Sequence, residues 1–328
     1  MRKIKISEKR APRVGIPRAL LYYSYNPFWT EFFRQIGAEP ILSPETNKEI
    51  LDAGVRLAVD EACLPVKVFL GHVQAVINLG VDYLFIPRLV AVEKRAYICP
   101  KFLGLPDMAR ACLKLPVPLL KPTINLNGGR RQLWLAARET AEQLGVHPIQ
   151  AGRALLKAWV FWQKAGGISW WRQHTRSLRG ENSRRGLKVA VIAHPYNLYD
   201  NYINLGLLQH LEQLGVEVVT PEDVPVQEAE AGAAQMPKRL FWTLNRHLLG
   251  TALHLAEQEG LSGLIHLSAF GCGPDSFTGE IITRRLQRAG RVSVLNLTID
   301  EHSGEAGLVT RVEAFIDMLQ RRRKQCGA

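Results

Sequence analysis

Along the N-terminal half, short apolar runs alternate with longer stretches of helical period. Val14–Arg18 reads as a short strand and turn, and Asn26–Ile36 carries the apolar spacing of a helix that Gly37 stops. Glu39–Leu42 reads as a second strand, with Ser43 and Thr46 as N-cap candidates for a helix running to Leu57. Leu64–Leu79 is a further helix, ended by Gly80. Asp82–Ile86 is an apolar run of the kind that a parallel strand buried on both faces shows. Strand, helix and strand in succession imply right-handed crossovers and a doubly wound parallel sheet. A strand over Val117–Ile124 and helices over Gln132–Leu144 and Pro148–Lys164 follow.

The pattern then breaks. Trp170–Gly186 is polar, basic and weakly periodic, and Lys188–Ala193 opens a second strand-first series. The expected organisation is therefore an N-terminal α/β lobe (1–170), a basic linker (171–186) and a C-terminal α/β lobe (187–328). In the second lobe the pattern predicts helices over Asn201–Leu214, Pro237–Gln258, Thr278–Ala289 and Val309–Gln325. Strands are predicted over Val216–Thr220, Gly263–Ser268 and Val292–Leu297. The shared order of elements suggests a duplicated fold, although no sequence repeat accompanies it.

Composition narrows the class. At 328 residues the chain suits two lobes and can bury a large core without disulfides. The N-terminus is charged and no apolar run is long enough for a bilayer, so no signal peptide or membrane span is expected. An odd, widely spaced set of five cysteines then points to reduced thiols in a cytoplasm, available for metal or catalysis. The net charge of +12 reads either as a solvated basic surface or as attraction to an acidic partner such as a nucleotide, coenzyme A phosphates or an acidic protein face. Nucleic acid is a poorer partner, because the basic clusters Arg172–Lys188 and Arg321–Lys324 look like a linker and a terminus with no accompanying motif.

Three cysteines stand out by position. Cys63, in Asp60–Lys67, lies at the start of a helix. Cys99, in Tyr97–Lys101, and Cys272, in Ala269–Asp275, lie in loops after predicted strands. Open parallel sheets bind ligands beyond the carboxyl ends of their strands, and helix N-termini there favour anionic sulfur. Neighbouring Pro and Gly residues permit tight, rigid turns. Against this, a lone Cys is usually a small buried hydrophobe, which suits Cys112, and Cys326 sits too near the C-terminus to hold anything. No Cys-x-x-Cys pair is present, so spacing alone leaves the three ambiguous. Zinc would need a fourth ligand such as His.

Several segments in one order carry a resemblance. These are Gly15–Leu20 with Asn26–Trp29, Leu42–Thr46, Glu61–Lys67 with Gly71-His72, Ile98–Pro100, His194–Asp200, Gly271–Pro274 and Asp300–Gly307. With them the chain resembles the 2-hydroxyacyl-CoA dehydratase subunit superfamily, and most closely the domain of unknown function associated with acyl-CoA dehydratase activases. The resemblance implies flavodoxin-like or Rossmann-like lobes with a cluster in the cleft between them. It also implies a 4Fe–4S cluster on Cys63, Cys99 and Cys272 with one iron open, one cluster per chain. A separate ATP-hydrolysing activase would donate low-potential electrons, and the chain would be a homodimer. Related proteins carry a double-cubane cluster; five cysteines fall short of the six thiolates it would take, so a double-cubane reductase is the alternative only with an unusual ligand or one from a partner chain. No Gly-x4-Gly-Lys-Ser/Thr phosphate loop is present, so the electron donor would be another protein.

Other residues flank these positions. Lys67, four residues after Cys63 on a helix, would share a face with it and offset thiolate or cluster charge; alternatively it is a surface lysine. His72 reads as a packing residue or a donor to the sulfur surroundings. His194, Tyr196, Glu301 and His302 follow second-lobe strands and are acid–base candidates. The plainer alternative is helix caps and polar loops. The Trp159/Phe161/Trp162 and Trp170/Trp171 groups read as packing. Three functions are consistent with this pattern: a reductase or dehydratase component acting on an acyl-CoA or small molecule, a non-catalytic electron-transfer or cluster-carrying partner, and a metal-free module binding a nucleotide or CoA-like anion.

Overall fold

The computed structural model describes residues 10–167, 186–290 and 292–326. The N-terminal half contributes the strands β1 (Arg13–Ile16), β2 (Glu39–Leu42), β3 (Tyr83–Phe85), β4 (Arg88–Ala91), β5 (Leu119–Leu120) and β6 (Thr123–Asn125). Its helices are α1 (Tyr22–Gln35), α2 (Lys48–Leu57), α3 (Leu64–Asn78), α4 (Pro100–Cys112), α5 (Arg131–Gln143) and α6 (Pro148–Lys164). The C-terminal half contributes β7 (Lys188–Ile192), β8 (Glu217–Val219), β9 (Leu261–Ala269) and β10 (Ser293–Ile299). Its helices are α7 (Pro195–Leu198), α8 (Leu207–Gln213), α9 (Val226–Ala233), α10 (Thr243–Glu257), α11 (Gly273–Ala289) and α12 (Glu305–Cys326).

Each half builds one four-stranded, wholly parallel sheet. The spatial orders are β2-β1-β3-β5 and β8-β7-β9-β10. Counted within each half both read 2-1-3-4, a doubly wound order whose direction reverses between the first and third strands. The fold is thus the expected α/β class with parallel sheets, used twice. A crevice opens at the carboxyl ends of β1/β3 in one sheet and β7/β9 in the other. One apolar core joins the halves: Val14, Phe32 and Leu84 belong to the same buried cluster as Val189, Leu207 and Leu267. A second cluster, including Leu249 and Ile282, covers the other face of the second sheet.

Several elements depart from the periodicity, each for a local reason. The strand expected over Val117–Ile124 is two strands in different sheets, because Lys121-Pro122 lies between them and β6 pairs with β4. The helix expected from Asn201 starts at Leu207. Asp200 Oδ1 accepts from the Tyr202 and Ile203 N–H groups, the Asn204 amide donates to Leu198 O, and Leu205 and Gly206 adopt positive φ. The helix expected from Pro237 starts at Thr243, since Phe241 to Thr243 pairs with Tyr97 as an isolated parallel bridge. Helix α4 escapes the pattern because Pro100, Gly104 and Pro106 are poor helix signals; it is held by the buried Phe102, Leu105 and Ala109. The basic connector, up to Arg185, and the Trp170/Trp171 pair lie outside the described residues.

Two glycines set the position of the first cysteine. A Cβ at Gly54 would lie 1.9 Å from Lys67 O, and one at Gly71 would lie 1.9 Å from Ile50 O. Helices α2 and α3 therefore cross backbone on backbone, which only Gly allows, and this fixes where α3 begins.

Candidate functional site

Cys63, Cys99 and Cys272 occupy the same structural position three times: each is the N-cap of a long helix (α3, α4 and α11) with Pro at the first or second helical residue. All three line one cavity between the halves, together with Leu20, Tyr97, Phe102, His194, Tyr196, Asn197, Trp242 and Asn245. Leu20 follows β1, Cys99 follows β3 and β4, His194 follows β7, and Cys272 follows β9. The cavity thus sits over both places where strand order reverses. Three converging helix N-termini oppose negative charge on the sulfurs.

The cysteine loops from the two halves touch. Gly271 has φ +75°, and a Cβ there would lie 3.1 Å from Cys63 Cα. The Leu64 N–H donates to Phe270 O at 3.4 Å. Cys63 packs in a small cluster with Ala62, Val66, Met108 and Cys272. On the other side, the Tyr97 N–H donates to Phe241 O at 2.8 Å and the Thr243 N–H to Tyr97 O at 2.9 Å, tying the Cys99 loop to the start of α10.

Burial pushes the Cys99 and Cys272 thiols up, and the N–H groups of Lys101 and Asp275 pull partly the other way. Without a metal these are neutral thiols, and a metal would have to displace their protons. Among the described residues no three His, Cys, Asp or Glu side chains converge as ligands of a single ion. An iron–sulfur cluster spreads its thiolates over separate irons, so cysteines arranged around a cavity suit it better than convergence on one point. The donors, the N-terminal helix charges and the glycine approach beside Cys63 fit such a group.

A buried polar group flanks the thiols. His194 Nε2 lies 3.4 Å from Asp275 Oδ1, and the Asn245 amide donates to the same oxygen at 3.4 Å. His266 Nε2 stands 3.6 Å away, beyond hydrogen-bond range. Asp275 is fully buried, His194 and His266 are 2% exposed and Asn197 is 1% exposed. Yet His194 Nδ1, both amide atoms of Asn197, His266 Nε2 and Asp275 Oδ2 have no protein hydrogen-bond partner among the described residues. Burial lowers His194, so the ring is neutral near pH 7, and burial raises the Tyr196 phenol. The Asp275 carboxylate favours the proton on His194 Nε2 and leaves Nδ1 as an acceptor. The two rings stack at 5.0 Å.

Of the residues singled out from sequence, Cys63, Cys99, Cys272, His194 and Tyr196 come together. Lys67 and Glu301 do not line the cavity. They form a partly buried ion pair with each other, so the charge of the buried Lys67 is met by a carboxylate from the loop after β10. His302 is exposed, and its N–H donates to Asp300 Oδ1 at 3.0 Å. His72 bridges Ser43 (2.8 Å) and Thr46 (2.9 Å) away from the thiols, and Cys112 ends α4 outside the cavity. Trp242 and Asn245 were missed, because only the pairing with Tyr97 brings the start of α10 to the site. Asp275 carried a legible signal, three residues beyond Cys272 in the first turn of a helix.

The fold and site thus define a two-sheet α/β chain with three helix-capping cysteines around one largely apolar cavity between its halves. The chain belongs to the family described as the CoA enzyme activase uncharacterised domain, whose model matches residues 13–224. Residues 201–319 match the model of the 2-hydroxyglutaryl-CoA dehydratase D-component, so both halves fall within the 2-hydroxyacyl-CoA dehydratase superfamily. No curated protein matches significantly. Two solved structures of the SBP FpvC from Pseudomonas aeruginosa, with Ni2+ and with Mn2+, align at 13% and 14% identity. They cover 97% and 95% of this chain and 98% and 99% of theirs, each with a TM-score of 0.27. That score fixes neither fold nor site.

Proposed function

We propose that this chain is an iron–sulfur redox protein in which Cys63, Cys99 and Cys272 hold one 4Fe–4S cluster, used to reduce or dehydrate an acyl-CoA or other small molecule. The observation that carries the reading is the convergence of three N-cap cysteines, two from one half and one from the other, on a cavity with orphaned polar atoms. When bound, a cluster with an open iron supplies Lewis acidity and single electrons. The electrons would come from a separate ATP-hydrolysing activase, a partner supported by the family's description as a CoA enzyme activase domain. The chain is read as lobes 1–170 and 187–328 joined by 171–186, working as a cytoplasmic homodimer. Its +12 charge suits coenzyme A phosphates.

The chain's own residues divide the remaining work. The N-termini of α3, α4 and α11 oppose the charge on sulfur. Leu20, Phe102 and Trp242 exclude water from the cavity. Asn197 offers a substrate one donor and one acceptor, which selects a group such as a carbonyl beside a hydroxyl. His194 Nδ1 takes a proton, with the resulting charge faced by Asp275. The Tyr196 hydroxyl, kept protonated by burial, donates one. These orphaned atoms favour an enzyme over a cluster carrier, which would have no use for them.

Anaerobic purification or reconstitution tests the reading. About four irons per chain and broad visible absorbance are expected. Cys63→Ala, Cys99→Ala and Cys272→Ala should each lose the cluster, while Cys112→Ala keeps it. Full iron retention in Cys63→Ala overturns the assignment. A change in the cluster's magnetic resonance spectrum on adding an acyl-CoA separates an enzyme from a carrier.

A further inference from the structure

A second cavity, of about 220 Å³, lies in the N-terminal half beneath the turn from β1 into α1. Its walls include Tyr25, Trp29, Phe69, Phe102, Trp159 and Trp162, and among the described residues no charged side chain lines it. Its lining side chains carry few polar atoms: the Asn26 amide, the hydroxyls of Tyr22 and Tyr25, and the indole N–H groups of Trp29, Trp159 and Trp162, the last of which donates to Ser24 O. Natural cores pack to crystal-like density with few voids larger than a water molecule, so a void of this size is not ordinary packing. Its lining forfeits dispersion contacts along every wall.

The cavity is placed rather than incidental. Leu20 and Phe102 line both it and the cysteine cavity, so they form a shared wall one side chain thick. Leu20 holds φ +55°, a left-handed backbone that costs a non-glycine residue energy and that clusters at ligand clamps. The strain puts this side chain in the partition, directly before the first turn of α1. On the far side Trp159 is 38% exposed and stands at the mouth, its ring 5.3 Å from that of Trp162, which stacks on Tyr25 at 5.7 Å. The aromatic group of α6, which reads as packing in the sequence, therefore walls a chamber.

We propose that this chamber is a binding site for an uncharged hydrocarbon group, an aromatic ring or a chain of about six to eight carbons, held next to the cysteine cavity. The size follows from a comparison: a cavity of about 150 Å³ with similar aliphatic and aromatic walls stays dry and takes up benzene. This larger one accepts a ring with a short tail or a medium chain. With no lining charge among the described residues the chamber rejects an ion, and a polar end can make only a few uncharged hydrogen bonds inside. The site stands on its own walls and does not depend on the cluster.

The test titrates the full chain, purified without oxygen, with primary alcohols from butanol to decanol and follows tryptophan fluorescence, since Trp29, Trp159 and Trp162 lie in the wall. Saturable binding is expected, tightening about fourfold for each added methylene until the chamber is full and then levelling near eight carbons. Ala19→Leu fills the chamber from the β1–α1 turn, and Leu133→Trp fills it from α5. Each should weaken octanol binding tenfold or more while iron content and thermal stability are kept. If one variant fails to fold, the other decides. Absence of saturation by every alcohol overturns the site, as does octanol affinity unchanged in a folded filling variant. Iron loss in the cysteine variants bears on the cluster alone, so the two proposals fail separately.

Discussion

Two buried polar groups each contain a histidine and an aspartate; the first links the halves and the second lies within the C-terminal half. In the first, the Arg18 N–H donates to Ser43 Oγ at 2.8 Å, and Ser43 and Thr46 contact the two ring nitrogens of His72. Thr46 donates to Asp200, which also accepts from the Tyr23 hydroxyl at 3.1 Å and from two backbone N–H groups. If each donor gives once, the chain runs from Ser43 to Nδ1 and from the Nε2 proton through Thr46 to Asp200, with no atom left over. In the second, His194, His266, Asp275 and Asn197 are equally buried but leave five polar atoms without a protein partner among the described residues. The same residue types thus serve opposite ends. A completed network staples the halves, whereas the one beside the thiols leaves polar atoms for water or a ligand to meet, which is what the proposed site would use.

The largest way to break this contrast is Asp200→Ala. It takes the acceptor from Thr46, from Tyr23 and from the Tyr202 and Ile203 N–H groups, and should cost about 3 kcal/mol or more. Denaturant unfolding measures it, and a loss within noise would mean that the network holds nothing.

Next comes pH. Burial first, and Arg18 second, depress His72 to about 3. The unfolded residue titrates near 6.5, so between these values the unfolded chain binds a proton that the folded chain does not. Stability therefore falls as pH drops below about 6.5 and levels off near 3. The His72 share should be about 2 kcal/mol between pH 8 and pH 5. Asp200 works the other way, because burial raises it and acid then favours the folded state. The difference between wild type and His72→Gln isolates the histidine, since His194 and His247, also lowered by desolvation, add to the same trend.

The smallest effect is the most informative. Asn197→Leu replaces an amide that has no protein partner with an apolar group of similar volume, so stability should change by no more than about 1 kcal/mol. The response of the cluster spectrum to an acyl-CoA should vanish. A stability loss as large as that of Asp200→Ala would show that both networks are structural.

The legible parts of the fold are those written in neighbouring residues. The apolar runs at Asp82–Ile86 and Lys188–Ala193 contain β3 and β7, and Gly263–Ser268 lies within β9, because a strand covered on both faces is mostly apolar along its length. Helix α4 and strand β4 were hidden. The first carries two prolines, and the second is a short strand whose pairing partner lies beyond it in sequence. The cysteines were legible as strand-end and helix-start residues, and the order of motifs around them marked the family. The partnership of Lys67 with Glu301, 234 residues away, was not legible.

By itself the sequence determined two α/β units and placed the three cysteines at strand ends and helix starts, since each depends on local periodicity, caps and turns. Only the tertiary structure decided which polar groups meet those thiols. Trp242 and Asn245 arrive because a bridge to Tyr97 stops α10 from starting earlier. Asp200 is satisfied and Asn197 is not because of what packs across from each. The apolar chamber likewise belongs to no segment of the chain. It is the space that α1, α6 and the strand ends leave between them, and a volume enclosed by distant side chains leaves no local pattern to read.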